Sequence, residues 1–515
     1  MNAHDGAQTP PGRVVMLVDN GVQGDSRVQK SAESMAALGW EVVLLGIRQS
    51  NSVELEWRIG GASVRLLPVA RPMGVHPSQF RRSWRRPLAY PTGRTAAHQV
   101  AAARARRAEW SHRRAMLKAT GRSAPVDLLG RVVVRLGRDV ARATELWARF
   151  RARELTRLRA AQNDPDNALT RAYIRFWQTV SGRRSWRRLD PGLWDYELAF
   201  GPVIDRLKPD IIHANDFRMA GVGARATLRA RLAGRRTRMV WDAHEFVAGV
   251  QPRADNPRWL PAQVAYTDEH VRLADAVVTV SPTLAQMLKH THDLPTLPEV
   301  VLNAPDTGRP ADSADEPLPD IRAMCGIDDE TPLLVYCGGV NARRGLDTMI
   351  EALPALPGVH VGFITVRPGV NNAASDALVD LAAERGVADR VHLLPYVPHW
   401  QVSAFLAPAD AGVIPLHHQP NHEIALITKF FEFSHARLPI VVSDVRTMAE
   451  TVAETGQGEV FEAQNQVDYL RAVRAVLDDP KKYRAAYDTP GLLDSWSWPA
   501  QAANLDRVYR KLLDP

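Results

Sequence analysis

The sequence predicts an α/β fold with two parallel-sheet domains and a basic helical insert, and three observations support this prediction. Short runs of β-branched and aliphatic residues alternate with amphipathic helical segments in both halves of the chain. Residues 306–320 are rich in Pro, Asp and Gly, as expected of a surface linker, and the alternation starts again after them. Residues 71–190 interrupt the alternation, because they are rich in arginine and have a helical apolar period.

The composition limits the class of protein and its compartment. A chain of 515 residues is long enough for two or more domains. Its two cysteines, Cys325 and Cys337, are too few for a disulfide framework and are not spaced for zinc. No apolar run approaches the roughly 20 residues that span a membrane, and the N-terminus has no apolar signal segment. We therefore expect a cytoplasmic protein, either free or peripheral at the inner face of the membrane.

The positive charge of the chain is concentrated in residues 71–190, which carry 28 Lys and Arg against 8 Asp and Glu. This segment has a net charge of +20, whereas the whole chain has +8. An apolar stripe at helical spacing runs through it, formed by Leu129, Val133, Leu136, Val140, Trp147, Phe150, Leu155 and Leu158. The stripe predicts either docking to an anionic membrane or lipid-linked acceptor, or packing on the protein core. A nucleic acid is not favoured as a partner, because no recognised nucleic-acid-binding module is present.

The N-terminal segment predicts a strand–helix–strand unit of a parallel sheet. Strands are predicted at 13–18 and 41–46, with a helix at about 27–38 between them. Ligands bind beyond the carboxyl ends of such strands, so the loop of residues 20–26, which includes Gly21, is a candidate for ligand contact. A tight turn without a ligand is the alternative.

Further strands are predicted at 53–59, 62–67, 211–214, 238–242 and 276–280. His244 follows the strand at 238–242, at the edge of the sheet where sites form. A histidine there can hydrogen-bond a sugar hydroxyl or move a proton, and the alternative is a structural histidine that holds the loop. His213 and Glu245 are weaker candidates for acceptor or loop contacts.

In the C-terminal half, a glycine turn follows the predicted strand at 333–337. Gly338 and Gly339 let the backbone approach a ligand closely, and Arg343 and Arg344 offer guanidinium groups that suit phosphate. A helix is predicted from Leu346 onward. The alternative is that these arginines are solvated charges on a surface turn.

Residues 421–444 predict a loop, a helix at about 427–436 and a buried strand at 440–442. The apolar positions Ile427, Phe430, Phe431 and Phe433 predict the packing face of this helix. Thr428 and Lys429 fall in the first turn of the helix, where free N–H groups and the macrodipole favour an anion. Glu432 lies on the same face and can accept hydrogen bonds from ribose hydroxyls. The combination predicts a site for a nucleoside diphosphate, and a solvated Lys–Glu pair is the alternative.

Several phrases resemble the family 4 glycosyltransferases, which are retaining enzymes of the GT-B fold. The resemblance rests on KFFEFSHARLPIVVSD at 429–444, the strand-end sequence Asp242-Ala243-His244-Glu245 and Asn303-Ala304-Pro305, and it covers about 13–60 and 194–513. It implies two Rossmann-like domains that face each other across a cleft. The expected bounds are 1–305 for the acceptor domain with its insert at 71–190, 306–490 for the donor domain and 491–515 for a returning helix.

The resemblance implies transfer of a sugar from a nucleoside-diphosphate sugar to a glycan, lipid-linked or small-molecule acceptor. His244, Arg344 and Lys429 are expected to be catalytic. Donor contacts are expected from Gly21, Gly339, Arg343, Tyr396, Glu423, Thr428 and Glu432. We expect no metal and no other cofactor, because no Asp-x-Asp motif follows a strand and the cations and helix amides can stabilise the diphosphate.

Two positions depart from the family pattern. The residue eight positions before Glu432 is Ile424, and the nearest acid is Glu423. The usual glycine before the last strand is replaced by Arg437 or Leu438. These departures leave two alternatives open: a GT-B scaffold that binds without catalysis, and a nucleotide-sugar epimerase of the same fold.

Overall fold

The computed structural model describes residues 10–50, 52–73, 88–119, 124–164, 167–308, 316–366 and 373–514. The middle of the predicted linker, residues 309–315, lies outside these ranges. The chain forms two compact units. The first contains the described parts of Met1–Val69, Glu197–Val250 and Thr267–Pro515, and the second contains those of Ala70–Tyr196 and Gln251–Tyr266.

The first unit holds two sheets, and we call each sheet with its helices a lobe. The N-lobe sheet has the order β3-β4-β2-β1-β5-β6-β7-β8 and is parallel apart from the antiparallel pair β3–β4. Its strands are β1 (Arg13–Leu17), β2 (Glu41–Ile47), β3 (Glu56–Ile59), β4 (Ala62–Leu67), β5 (Ile211–Asn215), β6 (Arg238–Ala243), β7 (Ala276–Thr279) and β8 (Glu299–Val300). β1 lies between β2 and β5, with Val14 opposite Val42 and Ile211.

The C-lobe sheet has the order β11-β10-β9-β12-β13-β14, and its pairs are parallel. Its strands are β9 (Leu333–Cys337), β10 (His360–Val366), β11 (Val391–Pro395), β12 (Ala411–Ile414), β13 (Ile440–Ser443) and β14 (Gly458–Phe461). β9 and β13 are buried along their whole length, as expected of parallel strands covered on both faces by helices.

The helices follow the predicted alternation. In chain order they are α1 (Ser26–Ala37), α2 (Gly93–Ala119), α3 (Ala124–Asn163), α4 (Ala168–Ser181), α5 (Trp186–Leu189), α6 (Leu193–Leu207), α7 (Asp216–Leu232), α8 (Trp259–His270), α9 (Pro282–His292), α10 (Ile321–Cys325), α11 (Leu346–Ala352), α12 (Ala373–Glu384), α13 (Val402–Leu406), α14 (Pro420–Glu423), α15 (Thr428–His435), α16 (Arg446–Thr455), α17 (Gln466–Asp478), α18 (Pro480–Arg484), α19 (Leu492–Ser495) and α20 (Trp498–Leu513). None of the helices within the described ranges combines the length and apolar character needed to cross a membrane.

The second unit is helical, as predicted for the basic segment, and consists mainly of α2 to α5. It also includes residues 251–266, which the sequence had assigned to the N-terminal domain. Trp186, Leu189 and Leu193 pack there against Ala262 and Tyr266. The aromatic rings of Trp186 and Tyr266 meet edge to face, with centroids 4.9 Å apart.

Helix α15 is held against the C-lobe sheet by its aromatic face. Phe430, Phe431 and Phe433 are fully buried, as the apolar spacing predicted. A Cβ at Gly412 of β12 would lie 2.5 Å from the ring of Phe433, so only glycine lets the helix approach this closely. The close approach fixes the start of α15, and with it the placement of Lys429.

The last helix, α20, belongs to the hydrophobic core of the N-lobe. Trp498, Leu505 and Tyr509 are buried in one cluster with Val14 of β1 and Met35 of α1. The Trp498 indole N–H donates to Ser34 Oγ over 2.9 Å. The chain therefore returns to the N-lobe after completing the C-lobe.

Arg437 occupies the position at which the family pattern has glycine. It follows the C-cap of α15 with a left-handed φ of +57°, which strains a residue with a side chain. Its guanidinium pairs with the exposed carboxylate of Asp488. Leu438, the other candidate for this position, is fully buried.

We expect Arg437→Gly to raise the free energy of unfolding by a few tenths to about 1 kcal/mol, because it removes the left-handed strain while losing only an exposed ion pair. Arg437→Ala is the matched control, since it loses the pair and keeps the strain. Urea unfolding of the three proteins measures the difference. A glycine variant no more stable than the alanine variant would contradict the prediction.

Candidate functional site

A crevice of about 530 Å³ opens between the N-lobe and the C-lobe. Its N-lobe wall contains His244 and residues from the loop between β1 and α1, among them Asp25 and Arg27. Its C-lobe wall is residues 425–428, which lead into the first turn of α15. The crevice therefore joins the two places where the sequence predicted ligand contacts, the carboxyl edge of the N-lobe sheet and the start of α15.

His244 lies directly after β6 and is held between two carboxylates. Its Nδ1 is 3.1 Å from Asp216 Oδ1 and its Nε2 is 3.4 Å from Asp242 Oδ2. Burial opposes the charged ring, but Asp216 and Asp242 outweigh burial and raise the pKa of His244 to about 10. The ring is therefore an imidazolium at neutral pH, which donates hydrogen bonds and cannot accept a proton.

Asp242 is the buried anion behind His244, with 1% of its surface exposed. Arg27 of α1 donates to both of its oxygens, from Nε over 3.0 Å and from Nη2 over 2.9 Å. Burial alone would raise the pKa of Asp242, but Arg27 and His244 hold it well below its ordinary value. Arg27 also donates to the carbonyl of Val301, so one guanidinium joins α1, β6 and the exit from β8.

Asp216, the other partner of His244, is the first residue of α7 and has a left-handed φ of +60°. Its carbonyl accepts a hydrogen bond of 3.1 Å from the indole of Trp241, which stabilises this backbone conformation. Strained residues of this kind are concentrated at functional sites. The carboxylate of Asp216 and burial both raise the pKa of the neighbouring Glu245.

His213, a weaker candidate from the sequence, is fully buried and does not line the crevice. Its Nδ1 is 2.5 Å from the hydroxyl of Tyr509 on α20, and its Nε2 is 3.4 Å from Asp242. It therefore links the last helix to the carboxylate behind His244. No sequence pattern predicts this link, because residues 213 and 509 lie 296 positions apart.

At the C-lobe wall, Lys429 and Glu432 of α15 form a largely buried ion pair of 2.9 Å. Burial disfavours the charge on Lys429, but Glu432 outweighs burial and raises the pKa of Lys429 above its ordinary value. Burial raises the pKa of the Cys337 thiol, at the end of β9, to about 12, although the positive charge of Lys429 acts against this rise. α15 has no side-chain N-cap, so its first-turn N–H groups have no side-chain acceptor at the cap position.

The turn after β9 is shaped by two glycines. Gly345 has a φ of +68°, and a Cβ there would lie 1.9 Å from the carbonyl oxygen of Pro415, so no other residue fits. Gly339 faces open space, and its carbonyl accepts 2.9 Å from the hydroxyl of Tyr336. Within the part of the chain that the structure describes, the half-buried Arg344 has no carboxylate within ion-pair distance.

The buried phenol of Tyr336 shows that the C-lobe candidates are neighbours. Burial raises the pKa of Tyr336 to about 12, while the positive charges of Arg344 and Lys429 act against this rise and Tyr396 adds to it. Arg344, Lys429 and Tyr396 therefore lie within electrostatic range of this one phenol. Arg343 is exposed on the same turn, and its N–H donates 3.0 Å to Asn341 Oδ1.

Glu423 is engaged away from the crevice. Its Oε1 is 2.6 Å from His418 Nδ1, and its Oε2 accepts 2.9 Å from the backbone N–H of Arg446 at the start of α16. Ile424 is buried, and its carbonyl accepts a hydrogen bond from Ser281 of the N-lobe. The carboxylate of Glu423 therefore does not face the crevice, and Ile424 offers only an apolar side chain at the family position.

Gly21 is also displaced from its predicted place. A Cβ at Gly21 would lie 3.2 Å from the side chain of Gln49, so this glycine packs against the chain. Gly24, three residues on, lines the crevice and has a φ of +83°. The predicted loop is therefore at the site, but a different glycine of that loop faces it.

Lys30 of α1 was not predicted and extends from the N-lobe toward the ion pair of α15. Its Nζ donates 2.5 Å to the carbonyl of Ala304 and lies 4.4 Å from the ring centroid of Trp498. Burial and Arg27 lower its pKa to about 8, although Glu432 acts in the opposite direction. Its only sequence signal is its place in the helix predicted at about 27–38.

Hydrogen bonds between the lobes flank the crevice, and we call them the interlobe clasp. Asn421 Oδ1 accepts 2.8 Å from the N–H of Phe246, and Asn421 Nδ2 donates 3.2 Å to its carbonyl. The bond from Ser281 to the Ile424 carbonyl and the 2.9 Å contact between the Thr447 and Thr283 hydroxyls complete it. The clasp fixes the loop before α15 on the N-lobe.

The described residues contain no group of three or more His, Cys, Asp and Glu placed to hold a metal ion. Among the described residues, the charged side chains that line the crevice are Asp25, Arg27 and His244. Lys429, which is paired with Glu432, directly follows Thr428 of the C-lobe wall. This arrangement suits an anionic ligand that is contacted from both lobes.

Comparison with known proteins identifies the class. The family described as "Glycosyl transferases group 1" matches residues 319–489, and that described as "Glycosyltransferase Family 4" matches 130–309. Sucrose-phosphate synthase from Thermosynechococcus elongatus has a similar structure, with a TM-score of 0.61 at 13% identity over 97% of this chain and 98% of that one. Anabaena HepE in complex with UDP-glucose gives a TM-score of 0.55 at 11% identity over 97% and 100%.

The chain is a glycosyltransferase of the GT-B fold. More particularly, it belongs to the family 4 glycosyltransferases, as the resemblance predicted. It is 26% identical to the glycogen synthase of Mycobacterium tuberculosis over 59% of this chain and 69% of that protein. It is 26% identical to the D-inositol 3-phosphate glycosyltransferase of Frankia alni over 41% of this chain and 51% of that protein.

The raised pKa of His244 predicts a pH-dependent stability. A histidine that titrates near 6.5 when unfolded and near 10 when folded stabilises the fold fully below pH 6.5, and this contribution is lost as pH rises through about 10. We expect His244→Gln to be less stable than the natural protein by at least about 1 kcal/mol near pH 6.5, with the gap narrowing toward pH 10. Denaturant unfolding at several pH values measures it.

The control is His290→Gln, since His290 is an exposed histidine on α9 of the same lobe. Its stability difference from the natural protein should stay small and flat over the same pH range. A gap for His244→Gln that does not change with pH would show that the ring is not held as an imidazolium.

Proposed function

We propose that this glycosyltransferase moves a sugar from a nucleoside-diphosphate sugar, bound on the C-lobe, to an acceptor hydroxyl presented from the N-lobe. We further propose that the anomeric configuration is retained and that no metal ion takes part. The observation that carries the proposal is the crevice between His244 and residues 425–428, which lead directly into Lys429 at the start of α15. Arg344 acts on the same buried phenol, that of Tyr336, as Lys429 does.

The diphosphate is assigned to the C-lobe groups. The first-turn N–H groups of α15 and the guanidinium of Arg344 offer donors and positive charge to its oxygens. Lys429 adds a charge that Glu432 keeps protonated at physiological pH. Glu432 is 5% exposed, so it acts on the donor chiefly by holding Lys429, and any bond to ribose uses its remaining lone pairs.

In the proposed reaction, the bond between the anomeric carbon and the diphosphate oxygen breaks and its electron pair stays on the diphosphate. The acceptor oxygen then bonds to the same face of the anomeric carbon, and its proton passes to the leaving phosphate oxygen. Arg344, Lys429 and the helix amides stabilise the negative charge as it develops. These groups are fixed before the reaction, so they need little reorganisation during it.

His244 is assigned to binding the transferred sugar and not to removing the acceptor proton. A pKa of about 10 leaves the ring protonated at neutral pH. Its Nδ1 faces Asp216, whereas Nε2 is 3.4 Å from Asp242 and makes no hydrogen bond to a described residue, so the Nε2–H is the donor that remains for a sugar hydroxyl. Of the two functions considered from the sequence, hydrogen bonding to a sugar hydroxyl is therefore the one we propose.

The donor and acceptor classes are proposed from the relatives. HepE is solved with UDP-glucose, and the relatives are a glycogen synthase and D-inositol 3-phosphate glycosyltransferases. We propose a nucleoside-diphosphate sugar as donor and a glycan, a lipid-linked sugar or a small polyol as acceptor. A thermal-shift screen of UDP-, GDP- and dTDP-sugars identifies the base.

Arg344→Met should weaken binding of the preferred nucleoside diphosphate by about 10- to 100-fold, because it removes a charged hydrogen bond to phosphate. The free energy of unfolding should change little, since Arg344 has no ion-pair partner among the described residues. Calorimetric titration with UDP, GDP and dTDP measures the affinity. The control is Arg385→Met, which alters an exposed ion pair elsewhere in the C-lobe. Equal affinities in both variants would exclude Arg344 from the diphosphate site.

Lys429→Ala should reduce turnover by about 100-fold or more and should also destabilise the fold, because it leaves the buried Glu432 without its cation. Adding Glu432→Gln removes the unpaired charge, so the double variant should regain stability but not turnover. Full activity of a folded double variant would remove Lys429 from the mechanism.

Release of the nucleoside diphosphate from the donor, with and without candidate acceptors, separates the proposed transferase from its alternatives. Binding without transfer or hydrolysis would indicate a scaffold, which the placement of Glu423 and Ile424 away from the crevice favours. Isomerisation of the sugar without an acceptor would indicate an epimerase.

A further inference from the structure

Helices α2 and α3 of the second unit pack side by side through a narrow seam. On α3, the buried positions Val134, Ala141, Ala148 and Leu155 repeat at seven-residue spacing. A Cβ at Gly137 would lie 2.6 Å from the ring of Trp110 on α2, so the two helices are in close contact. The seam therefore takes up one side of α3.

Glu145 of α3 is the polar member of this seam. It is buried and accepts a 2.8 Å hydrogen bond from Arg107 of α2, and it also pairs with Arg149. Arg107 holds the pKa of Glu145 below its ordinary value, against the effect of burial. The carboxylate of Glu145 is therefore paired within the seam between α2 and α3, and it does not neutralise the positive charge on the outer surface of α3.

The opposite side of α3 is apolar and exposed. Nine large apolar side chains lie there with 40% to 72% of their surface accessible: Leu128, Leu129, Val132, Val133, Leu136, Val140, Leu146, Trp147 and Phe150. At 100° per residue they project away from the seam, and they extend over roughly 33 Å of helix. We call this surface the apolar face of α3.

Six of the eight stripe residues predicted from the sequence belong to the apolar face, and Leu155 is buried in the seam. Packing of the whole stripe on the protein core is therefore wrong. The rings of Trp147 and Phe150 stack on each other with centroids 5.6 Å apart but remain half exposed. An exposed apolar surface this long and continuous is typical of a docking site and not of a solvated helix.

Arginines border the apolar face along one edge. Arg131, Arg135 and Arg142 are exposed there. The exposed acid Asp139 projects within the apolar face, one helical turn from both Arg135 and Arg142. The surrounding segment, residues 71–190, has a net charge of +20. A second copy of the chain would bring two such arginine rows together, whereas an anionic partner would neutralise them. A nucleic acid would also neutralise them but would leave the apolar face in water.

We propose that the apolar face of α3 docks on the surface of an anionic lipid bilayer. The helix lies parallel to the bilayer, with the Leu, Val, Trp and Phe side chains in the boundary between headgroups and acyl chains. The arginines extend to the lipid phosphates at its edge. The docking depends on the second unit alone, so it stands or fails separately from the sugar-transfer reaction.

The test is flotation of the full chain with vesicles of phosphatidylcholine, and with vesicles of phosphatidylcholine and phosphatidylglycerol, at low and high salt. We expect binding to the anionic vesicles at low salt and weaker binding at high salt. The variant Leu129→Gln/Val133→Gln/Leu136→Gln should bind the anionic vesicles at least about 10-fold more weakly than the natural protein. Arg131→Gln/Arg135→Gln/Arg142→Gln should also bind more weakly and show less dependence on salt.

The matched control is Leu232→Gln/Val467→Gln, which changes exposed apolar residues of the first unit and should bind as the natural protein does. The single variant Leu136→Gln and circular dichroism of each protein separate lost docking from lost folding. Absence of flotation at low salt would overturn the proposal. So would undiminished flotation of a folded Leu129→Gln/Val133→Gln/Leu136→Gln variant. Conversion of a dimer to a monomer by that variant, with unchanged flotation, would assign the face to a second copy.

Discussion

The N-lobe side of the crevice depends on one buried negative charge, that of Asp242. A carboxylate with 1% exposure is stable only when it is paired, and Arg27 pairs it through two hydrogen bonds. The same carboxylate holds His244 in the crevice and contacts His213, which is bonded to Tyr509 of the last helix. The first helix, the sixth strand and the last helix therefore meet at one charge, and its loss would disturb all three.

Most of the fold could be predicted from the sequence, because the pattern of short β-branched runs and amphipathic helices is local. Helix α15 illustrates this, since its bounds and its buried face of Phe430, Phe431 and Phe433 follow from spacing alone. Arg437 illustrates the limit. A left-handed backbone position is normally occupied by glycine and can then be predicted from the sequence, but here an arginine adopts this conformation. The extent of the second unit could not be predicted either, because residues 251–266 join it through contacts distant in sequence.

The candidate site was predicted in part. His244 and Thr428 line the crevice. Lys429 and Glu432 form the ion pair that was the alternative to a nucleotide site, but the pair is largely buried and not solvated. Glu423 was selected as the acid nearest to the family position, but its oxygens are bonded to His418 and Arg446, partners that only the three-dimensional structure reveals. The contribution of Lys30 was also hidden, since burial by Trp498 and Ala304 depends on how the last helix returns.

The interlobe clasp has a consequence for the order of events in a catalytic cycle. The loop that holds Asn421 and Ile424 is bonded to the N-lobe on one side and continues directly into α15 on the other. The lobes cannot move apart without breaking these bonds or pulling on the first turn of that helix. For the donor site proposed above, opening of the lobes would also loosen the α15 amides assigned to the diphosphate, so that release of the nucleotide and separation of the lobes would be coupled.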